Sequence, residues 1–166
     1  MSSQIYHVFN KSIEHFKIFN DDYDYQRFLC SLFFYQVKHR EDKLSRYLRD
    51  NKQAMKSFSF DSLQQDNNEN LVRFISYCLM PTHFHLILEV DDKCALSKFS
   101  NDVLNSYSRY FNTKHKRKGP LWVGRTKRVD VDTKDGMERL IDYVYNNPVK
   151  AGLVQTPNDW PWTMRR

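Results

Sequence analysis

Residues 71–90, LVRFISYCLMPTHFHLILEV, decide the fold. Met80-Pro81-Thr82 is a turn signal between two β-prone runs, so Leu71–Leu79 and His83–Val90 are expected to pair as an antiparallel hairpin. In the second run Phe84, Leu86, Leu88 and Val90 alternate with His83, His85, Ile87 and Glu89. Successive side chains of a strand point to opposite faces. One face of this strand is therefore apolar, and the other carries two imidazoles.

Working outward, Ile5–Asn10 is β-prone and reads as a first strand. Asp21 and Asp22 offer an N-cap to a helix whose apolar positions, Tyr25, Phe28, Leu29, Leu32, Phe33 and Val37, recur at three- and four-residue steps. A short amphipathic piece follows at Leu44, Tyr47 and Leu48. The polar run SFSFDSLQQDNNEN has no period, so about 40–70 reads as a loop or helical insertion. Beyond the hairpin, Leu96, Phe99, Val103, Leu104, Tyr107, Tyr110 and Phe111 mark a long helix over Ala95–Phe111. Arg128–Asp132 reads as a short last strand. The final helix has Met137, Leu140, Ile141 and Val144 as its buried stripe and must stop by Asn147, because Pro148 disfavours a helical residue before it. The order β-α-β-β-α-β-α predicts an α+β fold, a ferredoxin-like split-βαβ antiparallel sheet with an added C-terminal helix. The 166 residues are expected to form one domain, 1–166.

No apolar run approaches the roughly 20 residues that span a bilayer. The start, MSSQIYHVF, lacks the basic and apolar stretches of a signal peptide. Cys30, Cys78 and Cys94 lie far apart, and an odd count argues against a secreted disulfide framework. A soluble intracellular protein without a membrane partner is expected. Its 26 Lys+Arg against 20 Asp+Glu give a formal charge of +6. Eight of those cations, and no acid, fall between Arg109 and Arg128, which leaves about −2 for the remainder. Such a run is either a phosphate-facing patch or a solvated basic loop, with little to choose between them.

His83 and His85, at i and i+2 of a strand, can approach one metal ion together. Two neutral imidazoles do not saturate a divalent ion, so a third ligand is required. Tyr143 and Asn147 sit four residues apart at the edge of the last helix's buried stripe, where a phenol and a carboxamide oxygen would face whatever the helix packs upon. The set suits Mg²⁺ or Mn²⁺ better than a structural zinc centre, which usually has thiolates. Each residue also has a plainer reading: surface or hydrogen-bonded histidines, a half-buried packing tyrosine, and a polar helix C-cap before Pro148.

Four segments in order carry a resemblance. They are IYHVFNKS with FNDDYDYQRFL, the hairpin segment YCLMPTHFHLILEV, SRYFNTKHKRKGPLWVGRTKR, and LIDYVYNNPVKAGLV. Together they resemble the HUH-type single-tyrosine transposases, related to insertion-sequence transposases, and within them the REP-associated tyrosine transposases. The resemblance covers nearly the whole chain apart from about 40–70. Lys11-Ser12 departs from a common Arg-Gly pair, and Thr126 stands where an aromatic is common.

By position, the resemblance implies that His83, His85 and Asn147 hold Mg²⁺ or Mn²⁺ and that Tyr143 is the nucleophile. It implies cleavage and rejoining of single-stranded DNA through a 5′-phosphotyrosine, beside a recognised hairpin, in the bacterial cytoplasm and nucleoid. Lys114, Lys116, Arg117, Lys118, Arg125, Lys127 and Arg128 would neutralise phosphates. His115 and Trp122 would stack on unpaired bases, with core packing an equal alternative for Trp122. Relatives include homodimers with a site shared between chains and monomers with a site inside one chain. A domesticated DNA- or RNA-hairpin binding protein without transposition, and a phosphodiesterase using water at the histidine pair, are the competing functions.

Overall fold

The computed structural model describes residues 3–38, 43–51 and 70–166. Its strands are β1 (Gln4–Lys11), β2 (Arg73–Met80), β3 (His83–Val90), β4 (Lys127–Asp130) and β5 (Thr163–Arg165). Its helices are α1 (Asp22–Tyr35), α2 (Leu44–Asp50), α3 (Lys93–Lys114), α4 (Lys134–Tyr145) and the single turn α5 (Asn147–Lys150). The sheet order is β4-β1-β3-β2-β5, with every neighbouring pair antiparallel. The first four strands have the ferredoxin-like order, and β5 extends that sheet beyond β2. Most of the expected insertion, 52–69 with 39–42, lies outside the described residues.

Side-chain alternation divides the structure into two layers. Tyr6 and Val8 of β1 and Phe84, Leu86, Leu88 and Val90 of β3 pack against α1 and α3, through Phe28, Leu32, Phe99, Val103 and Tyr107. The opposite face buries Cys78, Met80 and Ile87 against Val144 of α4, with Ile5, Ile75, Leu140 and Ile141 around them. Alternation lets β2 serve both layers, and a register shift between Phe74 and Ser76 puts Phe74 on the same side as Tyr77 and Leu79, with Cys78 and Met80 on the other.

Caps set the helix starts. The Asp21, Asp92 and Thr133 side chains accept the backbone N–H of Asp24, Cys94 and Gly136 respectively, each satisfying a donor that has no partner within the helix. The Asp92 cap starts α3 at Lys93, two residues before the expected Ala95, and the helix runs on to Lys114. The edge strand β4 is Lys127–Asp130 rather than 128–132, because the chain turns away to place Thr133 as the α4 cap. At the other end α4 stops at Tyr145, and helical structure restarts at Asn147 with Pro148 in the first turn, where a missing N–H costs nothing. The strand β5 was not expected: its three residues carry no alternating pattern long enough to read.

The hairpin tip is anchored. Pro81 O accepts from the Ile18 and Phe19 N–H groups, and Thr82 O accepts from the Ser12 N–H. Ser12 is extended (φ −66°, ψ 152°) and fully buried, so the departure from Arg-Gly at 11–12 requires no left-handed residue there. Gly124 does require one, with φ +113°, and its carbonyl accepts from Asn10 Nδ2. Among the described residues no helix is long and apolar enough to cross a membrane.

Candidate active site

Strand β3 lies between β1 and β2, so its odd-numbered side chains stand at the middle of the face that α4 partly covers. His85 is opposite Phe9 on one side and Cys78 on the other, and only 8% of it is exposed. His83 stands at the strand entrance with its ring perpendicular to that of His85, the centroids 5.2 Å apart. Each ring has its Nδ1 engaged: that of His83 lies 3.0 Å from Thr82 Oγ1, and that of His85 lies 2.9 Å from His7 Nε2. Neither Nε2 has a hydrogen-bond partner among the described residues.

Burial pushes His85 down to about 3, with His7 and His83 adding to the effect, and pushes His7 down to about 4. His83 is lowered by burial first, then by the charges of His15 and Lys11. All three rings are thus neutral near pH 7, the form in which imidazole binds a metal. Among the described residues no three His, Cys, Asp or Glu side chains converge on one point. A cation held here would therefore need oxygen from another type of side chain or from substrate.

Helix α4 brings Tyr143 to this place. Val144 is fully buried against the sheet and fixes the helix's rotation, which leaves the neighbouring Tyr143 at the rim, 42% exposed. Its ring meets that of the same chain's His85 edge-on, centroids 5.9 Å apart. Lys150 Nζ stands 4.6 Å from the centre of the Tyr143 ring. Tyr145 is committed elsewhere, its hydroxyl donating to Asn158 Oδ1. Asn147 opens α5, which packs on β2. Its Nδ2 is buried without a hydrogen-bond partner, and its side chain makes no hydrogen bond to either histidine. A half-turn of the carboxamide exchanges nitrogen for oxygen at that unsatisfied position. The structure thus brings His83, His85 and Tyr143 together and sets Asn147 one helical turn further along.

The basic segment separates into two groups. Lys114 Nζ is bound by Asp21 and by fully buried Asp24, each at 2.7 Å. Arg117 donates to Asn112 Oδ1 and to Pro120 O and lies over the Phe16 ring. His115 packs on Phe111, centroids 4.3 Å apart. Trp122 is buried among Phe28, Phe84 and Tyr107, and its Nε1–H donates to Ser108 Oγ. Trp122 thus follows the packing alternative, with only 8% of it exposed. Lys114 is thus held by two carboxylates, and Arg117 by neutral oxygens of Asn112 and Pro120. Lys116, Lys118, Arg125, Lys127 and Arg128 remain exposed.

Two residues at the site escaped the sequence reading, His7 and Lys150. His7 carried a signal: in the alternation of Ile5–Asn10 it falls on the face opposite Tyr6 and Val8, as His83 and His85 do in β3. Lys150 carried none, since its approach to Tyr143 depends on the chain restarting as α5.

A split-βαβ sheet with two strand histidines and a helix tyrosine meeting on its open face defines a class of compact α+β proteins with a histidine–tyrosine site. The chain belongs to the IS200-like transposase family, whose model (Transposase IS200 like) matches residues 36–147. That span includes His83, His85, Tyr143 and Asn147 but not β1. A Haemophilus influenzae protein named "Putative REP-associated tyrosine transposase" is 28% identical over 100 residues, 54% of this chain and 56% of that protein. The chain thus matches little more than half the length of this curated relative. The fold is similar to the structure of a REP-associated tyrosine transposase bound to a REP hairpin (TM-score 0.57, 15% identity, 96% of this chain and 75% of that one).

Proposed function

We infer that this chain cleaves and rejoins single-stranded DNA, with Tyr143 as the nucleophile and a DNA hairpin as the recognised element. The observation that carries this reading is the 5.9 Å edge-on approach of Tyr143 to His85 of the same chain. It sets a half-exposed phenol beside a pair of neutral imidazoles in a site assembled from one chain.

The donor set fits Mg²⁺ or Mn²⁺: two imidazole Nε2 atoms whose partner nitrogens are already hydrogen-bonded, and the Asn147 carboxamide with an unsatisfied polar atom. Bound there, such an ion supplies positive charge to the non-bridging oxygens of the scissile phosphate. Tyr143 Oη attacks phosphorus in line and forms the phosphotyrosine bond while the P–O3′ bond breaks. The phenolic proton goes to solvent at the exposed rim, and the departing O3′ takes one up as a 3′-hydroxyl. Attack by a 3′-hydroxyl of another strand reverses the step and frees Tyr143 without ATP. Phenols ionise near pH 10, well below aliphatic alcohols, so phenolate leaves readily. Lys150 puts an ammonium beside the ring where the substrate phosphate arrives. The exposed Lys116, Lys118, Arg125, Lys127 and Arg128 are the side chains available to the DNA backbone.

The test is incubation of the protein with labelled single-stranded DNA carrying a hairpin, in Mn²⁺ or Mg²⁺. A covalent protein–DNA adduct resistant to denaturant is expected, and Tyr143→Phe is expected to abolish it. An adduct that survives the substitution moves the nucleophile elsewhere. Salt-sensitive hairpin binding with no adduct in either metal reduces the function to binding.

A further inference from the structure

We propose that His7 is the positioning residue of the site: it accepts a hydrogen bond from His85 Nδ1–H and thereby holds His85 in the tautomer that leaves Nε2 free. The metal part of this proposal rests on the function inferred above. The hydrogen bond itself does not.

The geometry comes from two strands 78 residues apart in sequence. His7 is paired with Ile87, and His85 with Phe9, so the two histidines are diagonal neighbours on the same face of the β1–β3 ladder. His7 Nε2 and His85 Nδ1 are 2.9 Å apart, with the rings close to parallel and their centroids 5.1 Å apart. Phe9 packs against both, 4.8 Å from His7 and 5.9 Å from His85, and limits how either ring can turn.

Two neutral imidazoles can share such a bond only if one donates and the other accepts. In the first arrangement His85 carries its proton on Nδ1 and has a lone pair on Nε2, ready to ligate. In the second, His7 donates from Nε2 to His85 Nδ1, so the His85 proton sits on Nε2 and ligation is blocked. Metal-binding histidines almost always donate their other ring N–H to an acceptor, which fixes ring and tautomer. Here His7 is that acceptor for His85, and Thr82 Oγ1 occupies the equivalent place for His83. His7 is not itself a third ligand: its Nε2 is spent on His85, and no three such side chains converge among the described residues.

Three proteins test this: the wild type, His7→Phe, which keeps a ring against Phe9 but removes the acceptor, and His7→Gln, which restores an amide oxygen as acceptor. Two-bond ¹H–¹⁵N spectra of the metal-free proteins read the His85 tautomer. Titration with Mn²⁺, followed by the EPR signal of free ion, reads affinity, and circular dichroism checks folding. The wild type is expected to show His85 with its proton on Nδ1. In His7→Phe that preference should be lost and Mn²⁺ binding weakened about 10- to 100-fold, with most of both recovered in His7→Gln. A His7→Phe protein that is folded, keeps the Nδ1–H tautomer and binds Mn²⁺ as the wild type does overturns the proposal. If the wild type binds no Mn²⁺, the metal reading of the site fails. The spectrum then still decides His7, and a wild-type His85 with its proton on Nε2 overturns its role.

Discussion

Acidification from pH 7 to pH 5 without metal is expected to destabilise the fold through the histidines of the open sheet face. His85 is held down to about 3 and His7 to about 4, against an ordinary value near 6.5, with burial the largest cause for both. In the unfolded chain both rings take up protons as the pH falls below 6.5, while in the folded chain they stay neutral. Their contribution is therefore fully present above about pH 6.5 and is lost progressively as the pH falls toward 4 and then 3. Each pKa unit corresponds to about 1.4 kcal/mol, so by pH 5 each ring costs about 2 kcal/mol and the pair up to about 4. One proton shared across the His7–His85 hydrogen bond would bring the pair closer to the lower figure. Against a typical total of about 5–15 kcal/mol either loss is large. Urea unfolding in EDTA at pH 7, 6 and 5, for the wild type and His85→Gln, isolates the effect, because carboxylates titrate alike in both. The wild-type profile should fall about 2 kcal/mol further over this interval. Parallel profiles would refute the burial argument, and with it the explanation of why these rings remain neutral.

Val144→Ala removes two methyl groups from the contact that fixes the rotation of α4. It should cost about 2 kcal/mol in thermal or urea unfolding and reduce adduct formation by Tyr143 although the phenol is intact. Lys114→Ala leaves fully buried Asp24 with hydrogen bonds from Tyr110 and Asn20, and with His115 Nε2 at 3.6 Å, but without its ammonium partner, so it should lower stability by about 1–3 kcal/mol. Lys127→Ala and Arg128→Ala, on an exposed strand, should leave unfolding almost unchanged. Each should instead reduce the salt slope of single-stranded DNA binding by about 0.7, measured by fluorescence anisotropy across a salt series.

These predictions follow the division between local and non-local information. Strand alternation was enough to put His83 and His85 on one face and Phe84 on the other, because a period of two follows from backbone geometry alone. The three- and four-residue spacing likewise located α1 and α3 and gave the buried face of α3. In α1 it found Tyr25, Phe28 and Leu32, but Leu29 and Phe33 are only half-buried, Val37 lies beyond the helix, and Cys30 and Phe34 are buried instead with Leu44 of α2. It placed Val144 correctly as the anchor of α4. The order of elements pointed to the split-βαβ sheet, since short connections and antiparallel hairpins leave few other arrangements. The short strand β5 stayed hidden because Thr163–Arg165 acquires strand geometry only by pairing with β2.

The site was legible only in part, for the same reason. His7 was visible as a strand residue, yet its bond to His85 depends on the β1–β3 register, and a slip by one residue would turn it to the other face. The basic run was plain in composition. Which of its side chains stay free was settled by distant partners, Asp21 and Asp24 for Lys114 and a nest of aromatic rings for Trp122. So the sequence by itself determined the strand and helix faces, the sheet plan and the presence of paired imidazoles. Only the tertiary structure decided that Tyr143 meets its own chain's His85, that His7 completes the pair, and which cations remain exposed. Periodicity fixes the direction of a side chain within its own element, whereas register and packing, set between elements far apart in the chain, fix what that side chain meets.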